Sequence, residues 1–216
     1  MVTPLDRRPL ASRQTGWAAA LTRALAATPI TPNQISCLGM LAALIAGLCF
    51  WQTDGAHGAA RIALLLAGAL FVQLRLLCNL LDGMVAIEAG RQAPDGAFWN
   101  EFPDRVADLL ILMGVALAIG QPALGWAAVS MSFLTAYVRE LGMRCGAGAD
   151  YSGPMAKPHR MALITAAALL SVFAPLAGLT TQILAAALWV VVLGAGLTAL
   201  RRGVRLVRKL HGLDDR

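Results

Sequence analysis

Apolar residues dominate the chain from Gln34 onward, and polar punctuation divides them into six stretches: residues 34–52, 59–81, 102–120, 122–143, 161–178 and 181–200. Each approaches the roughly 20 residues that an α-helix needs to cross a bilayer core. The second stretch is expected to run on as helix to about Glu88. The third is expected to begin as helix near Gly96, after the turn signal Pro94-Asp95-Gly96. Other connections are short, with Gln121-Pro122 after the third stretch and Gly178 to Thr181 after the fifth. The pattern predicts an all-α integral membrane protein, a bundle of six antiparallel transmembrane helices with no repeat and no second domain. Thr31-Pro32-Asn33 should cap the first of them, since Pro suits a first helical turn and Thr or Asn can bond its free amides. Ahead of it, Leu10, Trp17, Leu21 and Leu25 lie near one helical face and Arg13 and Arg23 near the other, as in an amphipathic helix lying in the membrane interface. The chain therefore parses as one membrane domain over 1–216. It comprises an interfacial arm at 1–30, the six-helix bundle at 31–200, and a basic tail at 201–216 that continues the last helix onto anionic lipid.

Composition agrees with this division. Hydrophobic residues make up 58% of the 216, and the mean hydropathy of +0.65 is too high for a soluble domain of this size. The net charge is +6, with the cations gathered at Arg7 to Arg23, Arg139 to Arg160 and Arg201 to Lys209. Such clusters attract anionic headgroups, and no nucleic-acid motif accompanies them, so the expected partner is membrane lipid and not nucleic acid. Lys and Arg are retained on the cytoplasmic side, which puts both termini and the loop near residue 90 there, in a multi-pass protein of the bacterial inner membrane. The opposite loops hold only Arg61, and Trp51 and Trp126 fall where the far interface should be. Cys37, Cys49, Cys78 and Cys145 form no CxxC pair and imply neither disulfide nor zinc. No signal-peptide pattern precedes the first span, which is expected to direct targeting itself.

One stretch breaks the apolar rule. Between Asn79 and Asp108 the chain places Asn79, Asp82, Glu88, Arg91, Asp95, Asn100, Glu101, Asp104, Arg105 and Asp108 in succession. Asn79, Asp82, Gly83 and Ala86 share one helical face, and Gly96, Asn100, Asp104 and Asp108 recur every four residues on another. The Pro-Asp-Gly turn lets the two faces meet. Oxygen-rich faces opposed in this way suit a hard divalent cation, which takes carboxylate and amide oxygens and shares its shell with substrate phosphates. Gly83 and Gly96 fit the same idea, because a residue without Cβ lets a bulky ligand approach the backbone. Singly, each Asp would serve equally as a solvated helix end; the joint spacing points to a site. Arg75, about one turn before Asn79, is expected to face the bundle interior or that site.

A second polar cluster, Arg139, Glu140, Arg144 and then Asp150 to Arg160 with Lys157 and His159, connects the fourth and fifth spans on the same membrane face. Arg and Lys there could bind the phosphate oxygens that a metal leaves free. They also satisfy the bias of cytoplasmic loops toward positive charge.

The run from Asn79 to Asp104 resembles the signature of the CDP-alcohol phosphotransferase family, DxxDGxxAR, eight residues, then GxxxDxxxD. The spacing matches throughout. Asn79 and Asn100 depart from it where the family has its first and third Asp, and Ile87 departs where the family has Arg. The resemblance implies Mg²⁺ or Mn²⁺ held by Asn79, Asp82, Asn100 and Asp104, and Asp104 as the catalytic base that activates the acceptor hydroxyl. Asp108, Glu101 or Glu88 could restore the charge lost at the two Asn, and Arg91 could replace the missing Arg. Gly83, Ala86, Gly96, Arg91, Arg139, Arg144, Lys157 and Arg160 are the expected substrate-binding positions. The resemblance further implies a homodimer that transfers a phosphatidyl or substituted phosphoryl group from a CDP-linked lipid donor, CDP-diacylglycerol foremost, to an alcohol acceptor with release of CMP, in phospholipid biosynthesis. The alternatives are a lipid- or nucleotide-binding membrane protein of the same fold whose catalytic site has decayed, and a small transporter.

Overall fold

A computed structural model describes residues 15–91 and 94–212, and within them seven α-helices. They are α1 (Gly16–Ala26), α2 (Pro32–Trp51), α3 (Gly58–Glu88), α4 (Gly96–Ala118), α5 (Pro122–Arg144), α6 (Lys157–Phe173, continued by a 3₁₀ turn Ala174–Ala177) and α7 (Gln182–Leu210). Helix α3 ends at Glu88, α4 opens at Gly96 after a turn at Pro94 and Asp95, and α7 carries the basic tail as helix to Leu210, as the sequence pattern predicts. The start of α2 is a reciprocal cap. The Thr31 hydroxyl accepts from the Gln34 amide at 3.2 Å, and the Gln34 side chain accepts from the Thr31 amide at 2.9 Å. Gly90, Gly120 and Gly146 close α3, α4 and α5 in the left-handed conformation, with φ of 61°, 66° and 75°.

Helix α2 packs against both α3 and α4, α3 against α6, and α5 against α7. The α2–α4 contact is backbone on backbone: a Cβ at Gly114 would lie 2.3 Å from the Gly47 carbonyl oxygen, and one at Gly47 would lie 2.4 Å from that of Leu110. The Phe50 ring fills the notch that Gly68 leaves in α3. Around these contacts Leu65, Val72, Ile111, Leu112, Met161, Ile164 and Leu188 form the core. Arg61 is buried at the end of the bundle remote from the acidic stretch. It donates to the carbonyls of Ser171 at 2.8 Å and Thr180 at 2.7 Å, so it ties α3 to the α6–α7 connection.

Among the described residues, four helical segments are long and apolar enough to cross a membrane: Pro32–Trp51, Gly58–Glu88, Lys157–Ala177 and Gln182–Leu210. The other two expected spans form as α4 and α5, each of 23 residues, but fall short of that hydropathy. Glu101, Asp104, Arg105 and Asp108 dilute α4, and Ser130, Ser132 and Thr135 dilute α5. Helix α1 forms within the expected amphipathic segment, while Leu10 and Arg13 lie outside the described residues. Its apolar residues Leu21 and Leu25 pack with Ile30 against Ile35, Leu81 and Val85 of the bundle, and Trp17 stays exposed.

Candidate functional site

Arg75, Asn79 and Asp82 are spaced by four and three residues along α3, so one face presents all of them. Asp104 and Asp108 do the same from the first half of α4, and Lys157 and Arg160 from the first turn of α6. Helices α3 and α4 scarcely touch, because α2 is packed against both. Their polar side chains meet in the space between them.

Asp104 is the centre of the cluster. Its Oδ1 accepts from Arg75 Nη2 at 2.6 Å and from Asn79 Nδ2 at 3.0 Å, its Oδ2 is paired with the Lys157 ammonium, and Arg105 Nη2 lies 3.9 Å from Oδ2. Lys157 also donates to the side-chain oxygen of Asn79. Deeper in the bundle, Arg160 Nη2 meets Asp108 Oδ2 at 2.7 Å, and its Nη1 donates to the Met155 carbonyl at 3.0 Å. Asp82 is held differently, by the Ser36 hydroxyl at 2.8 Å and the Gly83 amide at 2.6 Å. It remains within electrostatic reach of Lys157 and Asp104. Several buried polar atoms have no partner among the described residues: Arg75 Nη1, Arg105 Nε and Nη1, Arg160 Nε and Asp108 Oδ1. Buried guanidinium N–H groups of this kind suit an anionic ligand.

Gly83, beside Asp82, and Gly96, at the start of α4, border open space, with no atom within 4 Å of where a Cβ would stand. Ala86 is half-buried one turn beyond Asp82. Arg139 lies at the edge of the cluster, paired with Glu101 and with Glu140 Oε1 at 2.9 Å, its guanidinium 5.5 Å from the Tyr151 ring centre. Other expected site residues stand apart. Asn100 is exposed, with its amide toward Glu101. Arg91 is exposed and donates to the carbonyls of Thr28 at 3.0 Å and Ile30 at 2.8 Å, fastening the α3–α4 turn to the α1–α2 linker. Arg144 is exposed at the end of α5. In the adjacent loop, burial works to raise the Asp150 carboxyl. The Ser152 hydroxyl and amide, with Arg205 3.6 Å away, outweigh it and hold Asp150 below the usual carboxylate range. Ser36 was invisible to sequence reasoning, since nothing in the pattern of α2 marks one Ser as facing α3.

The donor chemistry can be set against a hard divalent cation. Among the described residues, no three His, Cys, Asp or Glu side chains converge on one point. Asp82, Asp104 and the amide oxygen of Asn79 supply oxygens of the right kind, and the open space at Gly83 adjoins them. With Asn79 neutral, that set carries two carboxylate charges.

No family model matches the chain. Three curated proteins are similar to it in sequence. The bifunctional IPC transferase and DIPP synthase of Rubrobacter xylanophilus is 36% identical over 116 residues, covering 52% of this chain and 24% of that protein. The archaetidylinositol phosphate synthase of Pyrococcus horikoshii is 28% identical over 62% of this chain and 64% of its own length. The phosphatidylinositol phosphate synthase of Mycobacteroides abscessus is 27% identical over 70% and 67%. The chain thus spans a quarter of the first relative and just under two thirds of the second. Among solved structures, the phosphatidylinositol phosphate synthase of Mycobacterium tuberculosis with CDP-DAG bound superposes with a TM-score of 0.70 at 20% identity, over 88% of this chain and 93% of that one. This chain is similar in sequence to these three synthases and shares the fold of the mycobacterial enzyme. The same mycobacterial enzyme solved with manganese and citrate also gives a TM-score of 0.70. Against the signature that the sequence resembles, the α3 half and the α4 half of the motif are the two faces that meet here. Arg75, Lys157 and Arg160 complete the cluster.

Proposed function

We propose that the chain is an integral-membrane CDP-alcohol phosphotransferase that moves a phosphatidyl group from a CDP-linked lipid, CDP-diacylglycerol foremost, to an alcohol acceptor and releases CMP. The observation that carries this reading is the meeting of Asn79 and Asp82 with Asp104 across α3 and α4, in signature spacing, beside buried cationic donors from α3 and α6. The unpartnered N–H groups of Arg75 and Arg105 and the ammonium of Lys157 bind the diphosphate oxygens. Gly83 admits the donor close to the α3 backbone. Asp104 takes the proton from the acceptor hydroxyl as its oxygen bonds to phosphorus, the bond from phosphorus to the CMP oxygen breaks, and CMP leaves. For that step Asp104 Oδ2 must be released by Lys157, whose flexible stem turns toward the donor phosphates. Mg²⁺ or Mn²⁺, if held at Asp82, would neutralise the diphosphate and the developing charge on the leaving group.

Six spans are part of this reading, with α4 and α5 crossing the membrane beside the four apolar helical segments and α1 lying at the interface, and the whole forming a homodimer in the bacterial inner membrane. Trp51 and Trp126, both half-exposed at the ends of α2 and α5 remote from the site, support it as belt residues of the far interface. The bias of Arg and Lys puts the site and both termini on the cytoplasmic side. A second reading, a nucleotide- or lipid-binding protein of this fold without turnover, draws on one observation: both oxygens of Asp104 are already engaged by cations. Detergent-solubilised protein incubated with labelled CDP-diacylglycerol, a divalent ion and a panel of alcohols separates the two. CMP release that depends on one alcohol supports the enzyme, whereas donor binding without CMP release supports the binder.

A further inference from the structure

Lys157 sits in the site as a coordinated cation would. From the first position of α6, its ammonium is set between the side-chain oxygen of Asn79 on α3 and Oδ2 of Asp104 on α4. It joins two helices that otherwise scarcely meet. The opposite oxygen of the same carboxylate is held by Arg75 at 2.6 Å. Asn79 matches this arrangement group by group: its amide nitrogen donates to Asp104 at 3.0 Å while its oxygen receives the ammonium. An amide with its oxygen so used offers a divalent ion one neutral lone-pair donor and no charge.

The balance of charge points the same way. Five carboxylates, Asp82, Glu101, Asp104, Asp108 and Glu140, stand with five cations, Arg75, Arg105, Arg139, Lys157 and Arg160, so the cluster is neutral before any ligand enters. A divalent ion bound at Asn79 and Asp104 would have to evict the ammonium and would then face Arg75, in an interior that screens like charges poorly. Asp82 lies outside that arrangement, bonded only to a hydroxyl and a backbone amide, with open space beside its neighbour Gly83.

We infer that Lys157 is the resident cation of the Asn79 and Asp104 half of the site, and that the protein takes one divalent ion, at Asp82, and not a pair. The inference rests on the functional reading above, which supplies the metal. Its consequence is that Asn79 and Lys157 form a unit in which a lysine does work that a second metal ion would otherwise do.

The test is metal stoichiometry, read without turnover. The full chain in detergent is titrated with Mn²⁺ and free ion is followed by electron paramagnetic resonance, with binding of CDP measured in parallel. One Mn²⁺ per chain is expected. Lys157→Met should bind Mn²⁺ about tenfold more tightly or better, because a like charge is removed from a few ångströms away. Lys157→Arg, which keeps the charge, should stay at the parent's single ion. Asn79→Asp combined with Lys157→Met should bind two. A parent that binds CDP together with two ions, or a Lys157→Met protein whose Mn²⁺ affinity does not rise, overturns the inference and leaves the functional reading in place. A parent that binds neither Mn²⁺ nor CDP overturns both. The parent's own stoichiometry decides the matter even where a variant fails to fold.

Discussion

Arg160 and Asp108 form an ion pair sealed inside the bundle, 2.7 Å apart, with side chains 1% and 0% exposed. The pair links α6 to α4 well below Asp104, and Arg160 is further fixed by the Met155 carbonyl. This geometry gives Asp108 the part of a structural anchor for the site. Removing one member strands the other as a buried charge, at a cost of about 3–5 kcal/mol. Asp108→Asn and Arg160→Met should each lower the thermal unfolding temperature in detergent sharply, and Asp108→Leu with Arg160→Met should recover much of the loss. Single variants as stable as the parent would return Asp108 to the list of metal ligands.

The two signature carboxylates should separate by what they lose. Asp104→Asn is expected to cut turnover by about 10²- to 10⁴-fold, the usual contribution of a general base, while donor and metal binding persist. Asp82→Asn should abolish metal-dependent nucleotide binding as well as turnover, and a chelator should do the same to the parent. Calorimetry of CDP and Mn²⁺ binding beside CMP release distinguishes the roles. If Asp104→Asn loses the metal and Asp82→Asn keeps it, the assignments are reversed.

Two glycines make a paired comparison. A methyl at Gly114 would collide with the Gly47 carbonyl at 2.3 Å, and backbone there cannot give way without parting α2 from α4. Gly114→Ala should therefore destabilise the protein by about 1–3 kcal/mol or more. Gly83→Leu projects into open space, so it should fold like the parent yet bind the CDP-linked donor poorly. A Gly83→Leu protein with unchanged donor affinity would mean that the donor lies elsewhere.

Topology can be read with reporters. Fusions after Arg216 and within 150–155 should score on the cytoplasmic side, and one within 52–57 on the other. Opposite scores for the first two would mean that α6 and α7 do not both cross.

Local chemistry explains what was legible in the chain itself. The cap at Thr31 and the turn at Pro94 to Gly96 act within a few residues, so the helix limits they set could be read to within a turn. Apolar length likewise announced the membrane, and the three- and four-residue spacings announced two polar faces. Arg75, a charge deep in an apolar run, was correctly expected to turn inward.

Which polar groups meet was decided by tertiary packing alone. Arg75 reaches Asp104 across 29 residues, Ser36 reaches Asp82 across 46, and Lys157 reaches Asn79 across 78. Arg91, expected at the substrate, instead fastens the linker before α2, and Asn100 stays at the surface. Periodicity tells which residues share a face but not the depth or angle at which one helix meets another. Those are set here by α2 packed between α3 and α4 and by the bare backbone contact at Gly47 and Gly114. The sequence determined the helices and the polar faces, because both depend on neighbours along the chain. The structure decided the charge partners, because a side chain's partner depends on how distant helices are packed together.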